Sequence, residues 1–119
     1  MANNTFSPPL NERNCVHRND IQDRIEGPAL EKYLADVANW SQEKITDQVF
    51  IKKSLAFPNF NKAIAAANQI AKLADEQDHH PTLIVEWGQL TIHFWTHSIK
   101  GLSENDFIMA ARVDELLEN

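Results

Sequence analysis

The stretch Asp75-Glu76-Gln77-Asp78-His79-His80-Pro81 lies where a helical pattern of apolar residues ends and a strand pattern begins. Over residues 60–74 apolar side chains recur at helical spacing, and Asn59 is suited to cap the start of that helix. Pro81 disfavours the helical conformation of the residue before it, so this long helix should end before the histidine pair. Two adjacent imidazoles beside three carboxylates are costly to bury unpaired. The stretch therefore ends the longest helix and marks a candidate functional site.

The periodicity on both sides of this stretch predicts the remaining elements. Apolar residues at helical spacing follow Pro28, which suits the first position of a helix. Residues alternate in polarity from 41 to 57, with Thr46-Asp47 as a turn, and again on both sides of Trp87-Gly88. Ser103 and Asp106 have the spacing of a capping box, which predicts the start of a last helix. The predicted elements are a helix over 28–40, strands over 42–45 and 49–57, a helix over 60–78, strands over 82–86 and 89–97, and a helix from 104 onward.

This order, αββαββα, predicts an α+β fold with one four-stranded antiparallel sheet and helices packed on one face. Trp40 is expected to anchor the core where the first helix gives way to a strand. Lys53 interrupts the apolar side of its strand. His93 and Trp95 are expected to face away from the helices. Because an exposed tryptophan on a sheet face is typical of a contact surface, we expect a homodimer or homotetramer.

Length and charge limit the possible classes of protein. The chain has 119 residues, which is typical of one domain. Its 17 acidic and 11 basic residues give a formal charge of −6, which argues against a broad nucleic-acid surface. No apolar run is long enough for a membrane span, and residues 1–10 lack the features of a secretory signal. The single cysteine, Cys15, excludes an intrachain disulfide and is compatible with the cytoplasm, the expected compartment.

The N-terminal part of the chain differs in composition from the rest. Residues 1–27 are polar, with Pro8-Pro9 and scattered charges, and they offer little apolar surface to offset the entropy lost on ordering. We therefore expect a flexible N-terminal arm over residues 1–27 and a single folded domain over residues 28–119.

A third histidine, His97, lies 17 positions after His80, and a hairpin between the two would bring them together. The histidines and Asp106 also have interpretations that do not involve catalysis. The pair could be polar residues at a helix C-terminus, where positive charge is favourable. A zinc site built from one of the pair, His97 and an aspartate is a second alternative, although adjacent histidines seldom point at one ion. Asp106 is interpreted first as a helix cap and second as a catalytic group.

Three segments together resemble the pterin-4a-carbinolamine dehydratase family. They are Asp78-His79-His80-Pro81, Thr96-His97, and Gly101-Leu102-Ser103 followed by Asp106. Trp40, Phe57 and Phe60 also match, so the resemblance covers residues 28–117. The chain departs from the family pattern at Asp75, where a glutamate is usual, and at Thr82 and Leu83, which put the shape of the pocket in question.

The resemblance implies a lyase that removes water from 4a-hydroxytetrahydrobiopterin to give quinonoid dihydrobiopterin. Such an enzyme recycles the tetrahydrobiopterin of an aromatic amino acid hydroxylase, its expected functional partner. Imidazole gives and takes protons near neutral pH, so histidines would supply the acid and the base without a metal or another cofactor. Which histidine is the acid stays open, as does the pterin side chain. The implied catalytic residues are His79, His80 and His97, and the implied substrate-binding residues are Asp75, Pro81, Thr96, Ser98 and Asp106.

A function of another class stays open beside this one. Animal members of the family also serve as dimerisation cofactors of a homeodomain transcription factor, so a non-enzymatic protein-binding module is the alternative. A dehydratase of altered substrate is a third possibility, because of Thr82 and Leu83. An inactive relative would be expected to lose a histidine of the trio, and this chain keeps all three, which favours catalysis.

Overall fold

The longest helix, α2 (Phe60–Gln77), begins and ends where the sequence predicts. In this computed structural model, which describes residues 6–118, the Asn59 side chain accepts a hydrogen bond from the Lys62 N–H at 2.9 Å. At the other end Asp78 has φ 51° and ψ 43°, a left-handed conformation that aspartate tolerates and that stops the helix. The histidine pair therefore lies just beyond the helix C-terminus.

Two hairpins form one antiparallel sheet of four strands. β1 (Ser41–Ile45) pairs with β2 (Gln48–Ala56), and β3 (Thr82–Glu86) pairs with β4 (Gln89–Phe94). The hairpins join along β2 and β4, so the strand order is β1-β2-β4-β3. The long helix α2 is the connection between the two hairpins.

The helices and one face of the sheet enclose the hydrophobic core. α1 (Pro28–Asp36) and α3 (Glu104–Glu118) complete the order αββαββα, which confirms the predicted α+β fold. Among residues 6–118, none of the helices is long and apolar enough to cross a membrane. The core side chains with no exposed area include Ile51, Ile70, Leu90, Ile92, Phe94, Phe107 and Ile108.

Lys53 breaks the apolar pattern of β2 because it pairs with a carboxylate at the edge of the core. Its Nζ lies 2.7 Å from Oδ1 of Asp114, on α3. The same carboxylate accepts a hydrogen bond from Trp40 Nε1 at 3.0 Å. Trp40 is 5% exposed, which agrees with its expected place as a core anchor.

The outer face of the sheet carries an aromatic cluster of its own. Phe50, which is 4% exposed, stacks on His93 with ring centroids 4.4 Å apart, and its ring lies 6.4 Å from that of Trp95. Trp95 is half-buried rather than exposed as expected, because this cluster covers it. Burial and the neighbouring Lys52 lower the pKa of His93 below the ordinary value of 6.5.

The N-terminal segment lies against the domain, which differs from the flexible arm that the composition suggests. Leu10 is 1% exposed in the core. The Ile25 N–H donates to the Leu102 carbonyl at 2.8 Å. The segment is held by one buried leucine and by hydrogen bonds to residues far along the chain. Neither feature produces a periodic pattern in the sequence, so the composition did not indicate this packing. Residues 1–5 of the expected arm lie outside the described residues.

Two element ends differ from the prediction. α1 ends at Asp36 rather than near residue 40, and Asn39 in the following turn has a positive φ of 73°. β4 ends at Phe94 rather than at residue 97, because the Thr96 N–H turns back to the Gly101 carbonyl at 2.8 Å. The third histidine therefore lies in a short 3-10 turn and not at a strand end.

Candidate active site

Asp106 joins the segments that carry the candidate residues. Its side chain has no exposed area. Oδ2 accepts hydrogen bonds from the Ser103 N–H at 2.9 Å and from the Thr96 hydroxyl at 2.8 Å. Oδ1 lies 2.6 Å from Nε2 of His79. The first of these bonds is the predicted helix cap, and the last was not predicted. One carboxylate therefore links the start of α3, the turn after β4 and the end of α2.

His79 is held in one orientation by this contact. Its side chain is 10% exposed and its ring lies parallel to Phe94, with an interplanar angle of 15° and centroids 6.1 Å apart. When Asp106 is ionised, Nε2 of His79 carries the hydrogen atom, and this N–H donates a hydrogen bond to the carboxylate. The lone pair then lies on Nδ1, which accepts no hydrogen bond from the described residues. The arrangement is suited to proton abstraction by Nδ1.

His80 lies in a more open environment. Its Nε2 is 3.0 Å from Oδ1 of Asp75, in the last turn of α2. The two side chains are 56% and 80% exposed, so water screens their interaction. The pair leaves His80 accessible to a ligand. Pro81 is half-buried between this pair and the start of β3.

His97 is exposed and lies in the turn that follows Thr96. Its ring is 4.4 Å from the ring of Trp95. The next residue, Ser98, donates its hydroxyl hydrogen bond to the carbonyl of Arg18. On the other side of His97, Thr96 is 5% exposed and its hydroxyl bonds to Asp106. The side chains of Thr96 and Ser98 therefore both form hydrogen bonds within the protein.

Six of the eight predicted site residues form two hydrogen-bonded groups and one separate histidine. The first group is His79, Thr96 and Asp106, and the second is His80 with Asp75. Within residues 6–118, no hydrogen bond joins His97 to either group. In the same part of the chain, no three histidine, cysteine or carboxylate side chains are grouped so that they could hold a metal ion.

Sequence reasoning missed Asn105, the residue immediately before Asp106. Asn105 is 4% exposed, and its amide bonds to the backbone of Val16 in the N-terminal segment. The position of Asn105 inside the motif that ends at Asp106 was the one feature of the sequence that could have marked it as a candidate. Because its partner lies 89 positions away, no local pattern could identify that partner.

A match to a known protein family covers most of the chain. Residues 23–116 match the model of the family described as Pterin 4 alpha carbinolamine dehydratase. The chain therefore belongs to this family, as the resemblance of its motifs predicted.

Individual relatives extend this finding. A protein of Marinobacter nauticus that carries the provisional name pterin-4-alpha-carbinolamine dehydratase is 37% identical, over 90% of this chain and 96% of its own length. The crystal structure of a transcriptional coactivator/pterin dehydratase from Brucella melitensis is 26% identical, with a TM-score of 0.69, over 78% of this chain and 97% of that one. A pterin dehydratase-like RuBisCO assembly factor of the alpha-carboxysome, 23% identical with a TM-score of 0.55, shares the fold over 66% of this chain and 88% of its own.

Proposed function

We propose that this chain is a dehydratase that converts 4a-hydroxytetrahydrobiopterin into quinonoid dihydrobiopterin by histidine acid–base catalysis. The observation that carries the proposal is the 2.6 Å contact between the buried Asp106 carboxylate and His79. A buried carboxylate that fixes an imidazole tautomer is a common way to prepare a histidine for proton transfer. Two further histidines of the motif, His80 and His97, are exposed and can exchange protons with a ligand.

The reaction needs one proton donor and one proton acceptor. The bond between C4a and its hydroxyl oxygen breaks, and the oxygen leaves as water after it takes a proton. The neighbouring ring nitrogen loses its proton, and the electrons of that N–H bond form the new double bond to C4a. We assign the base to Nδ1 of His79, since Asp106 stabilises the imidazolium that results. The acid is then His80 or His97.

The sharpest test is the rate of carbinolamine decay in stopped-flow experiments. Of the two variants His80→Ala and His97→Ala, we expect the one that removes the acid to be slower by ~10²–10⁴-fold. This is the usual scale for a positioned proton-transfer group. Both variants should melt as the wild type does, because both side chains are exposed. His17→Ala is the matched control, an exposed histidine outside the trio. Wild-type rates in both test variants would contradict the catalytic assignment.

Metal independence follows from the same proposal. Acid–base chemistry by imidazole requires no Lewis acid, so exhaustive dialysis against a chelator should leave the rate unchanged. A loss of rate that zinc restores would favour the alternative zinc site.

A protein-binding module is the second candidate. It is favoured by the name of the Brucella structure, which is described as a transcriptional coactivator as well as a pterin dehydratase. The discriminating result is simple: a wild-type chain that does not accelerate carbinolamine decay would leave this candidate in first place.

The proposed enzyme would act beside an aromatic amino acid hydroxylase, which produces its substrate, and we retain the cytoplasm as its compartment. We also propose that it is a homodimer or homotetramer. Support comes from the outer face of the sheet, where Ile84 is 43% exposed on the same face as the cluster of Phe50, His93 and Trp95.

A further inference from the structure

Residues 13–18, called the strap from here on, cross the segments that carry the candidate histidines. At one end of the strap, the Cys15 N–H donates to the side-chain oxygen of Gln77 at 2.8 Å. Gln77 is the last residue of α2 and lies two positions before His79. At the other end, the carbonyl of Arg18 accepts the hydroxyl hydrogen bond of Ser98, the neighbour of His97. The strap therefore touches the chain next to two of the three histidines.

The middle of the strap is bound to the start of α3. The Val16 N–H donates to Oδ1 of Asn105 at 3.2 Å, and Nδ2 of Asn105 donates to the Val16 carbonyl at 2.6 Å. This reciprocal pair uses a side chain that is 4% exposed, whereas the Val16 side chain is 54% exposed. At Val16 the strap is thus held by its backbone. Asn105 directly precedes Asp106, which binds His79.

Charged contacts reinforce the same junction. Glu104 accepts from Arg13 at 2.9 Å and from Arg18 at 3.4 Å, and its Oε1 also accepts the Tyr33 hydroxyl at 2.7 Å. The carboxylate side chain is 22% exposed, so these bonds are partly shielded from water. Two arginines of the strap therefore bind one carboxylate in the first turn of α3.

The strap lies upstream of the family pattern. The family model begins at residue 23, after the strap ends. The alignment with the Marinobacter nauticus protein covers 90% of this chain and therefore extends upstream of that residue. The strap is an addition to the part of the chain that defines the family.

We propose that the strap is a positioning element of the pterin site, which acts through Asn105 and Ser98. The strap fixes the position of the first turn of α3 relative to the turn that carries His97. The first turn of α3 contains Asp106, which accepts the hydrogen bond of His79. This inference rests on the proposed function of the site. A displacement of about 1 Å between reacting groups can cost on the order of 10²-fold in rate, so a tether of this kind has a measurable effect.

The test compares two substitutions at one strap residue in the full-length chain. Val16→Pro removes the N–H that bonds to Asn105, whereas Val16→Ala keeps the N–H and shortens an exposed side chain. We expect Val16→Pro to lower kcat/KM for carbinolamine decay by ~10–10²-fold and to weaken the binding of 7,8-dihydrobiopterin in calorimetry. Val16→Ala should match the wild type in both measurements. Asn105→Ala should reproduce the effect of Val16→Pro from the other side of the contact.

Cys15 reports independently whether the strap is docked. Burial and the charge of Asp106 raise the pKa of its thiol to about 12, so little thiolate exists near neutral pH while the strap is in place. Alkylation of Cys15 by iodoacetamide at pH 8 should be slow in the wild type and in Val16→Ala. It should be at least ~10-fold faster in Val16→Pro, since release of the strap returns the thiol towards its ordinary pKa.

The combined readouts separate the possible results. Fast alkylation with unchanged kcat/KM and unchanged pterin affinity would overturn the proposal, because the strap would then be structural only. In a second result, the wild type binds dihydropterin without turning over the carbinolamine, while Val16→Pro binds dihydropterin more weakly than the wild type. That result would support the strap as a positioning element and contradict the dehydratase assignment. A wild-type chain that neither binds dihydropterin nor turns over its substrate would overturn both.

Discussion

Asp106 illustrates how one residue can have a local role and a distant one. Its spacing from Ser103 predicts the helix cap, and the structure contains that bond at 2.9 Å. Its contact with His79 joins residues 27 positions apart and could not be inferred from spacing. The cap accounts for one of the three contacts of this carboxylate, so we expect a substitution at Asp106 to affect stability and rate together.

We expect Asp106→Asn to lose stability and activity. The amide has one oxygen in place of two, so at least one of the three donors that face Asp106 loses its acceptor. A buried polar group without a partner costs ~1–3 kcal/mol, and the neutral side chain also stops stabilising an imidazolium at His79. Urea unfolding and carbinolamine decay measure the two effects. Asp75→Asn is the stability control, because its side chain is 80% exposed, and it should change the free energy of unfolding by less than ~0.5 kcal/mol.

His93 should make the stability of the folded chain depend on pH. Its pKa is lowered in the folded state, so the unfolded chain binds more protons just below pH 6.5. Stability is therefore complete above that value and is lost as the pH falls through the window below it. We expect His93→Gln to narrow the stability difference between pH 7.5 and pH 5.5, as measured by urea unfolding at both values. An equal or larger difference in the variant would contradict the lowered pKa.

At the level of elements, the junction between β2 and α3 depends on Asp114. This carboxylate accepts from Lys53 at 2.7 Å and from Trp40 Nε1 at 3.0 Å. Asp114→Ala leaves two partly buried donors without an acceptor, so we expect a loss of ~1–3 kcal/mol in the free energy of unfolding. Glu86→Ala, an exposed change in β3, is the control and should stay close to the wild type. A wild-type midpoint in Asp114→Ala would mean that water replaces the carboxylate without cost.

The elements that the sequence predicts well are those with a strong period or a defined cap. Helix α2 has both, since its apolar stripe and Asn59 agree on where it starts. The hairpins also have a clear alternation. The end of β4 could not be predicted, because the bond from Thr96 to Gly101 closes a turn that the alternation does not register. The N-terminal segment could not be predicted either, because bonds such as Val16 to Asn105 depend on the finished fold.

For the molecule as a whole, the outer face of the sheet is the basis for the expected oligomer. Ile84 is 43% exposed on this face, and residues that a stable interface buries are often apolar or aromatic. We expect sedimentation equilibrium at micromolar concentration to give a mass of two or four chains of 13.6 kDa. Ile84→Lys should shift the equilibrium towards the single chain, whereas Ile21→Lys, an equally apolar change at a residue 63% exposed, should not. A single species of one chain in the wild type would contradict this expectation.

The strap also has a consequence for how the chain reaches its final state during synthesis. The ribosome makes residues 13–18 before Ser98 and Asn105, and the partner of Val16 is made 89 positions later. At 5–20 residues per second this delay is on the order of 4–18 s. Throughout that time the strap lacks its contact with Asn105, because this residue has not yet left the ribosome. The strap is therefore made early and docks late, and a chain released before Ser98 and Asn105 emerge would carry it undocked.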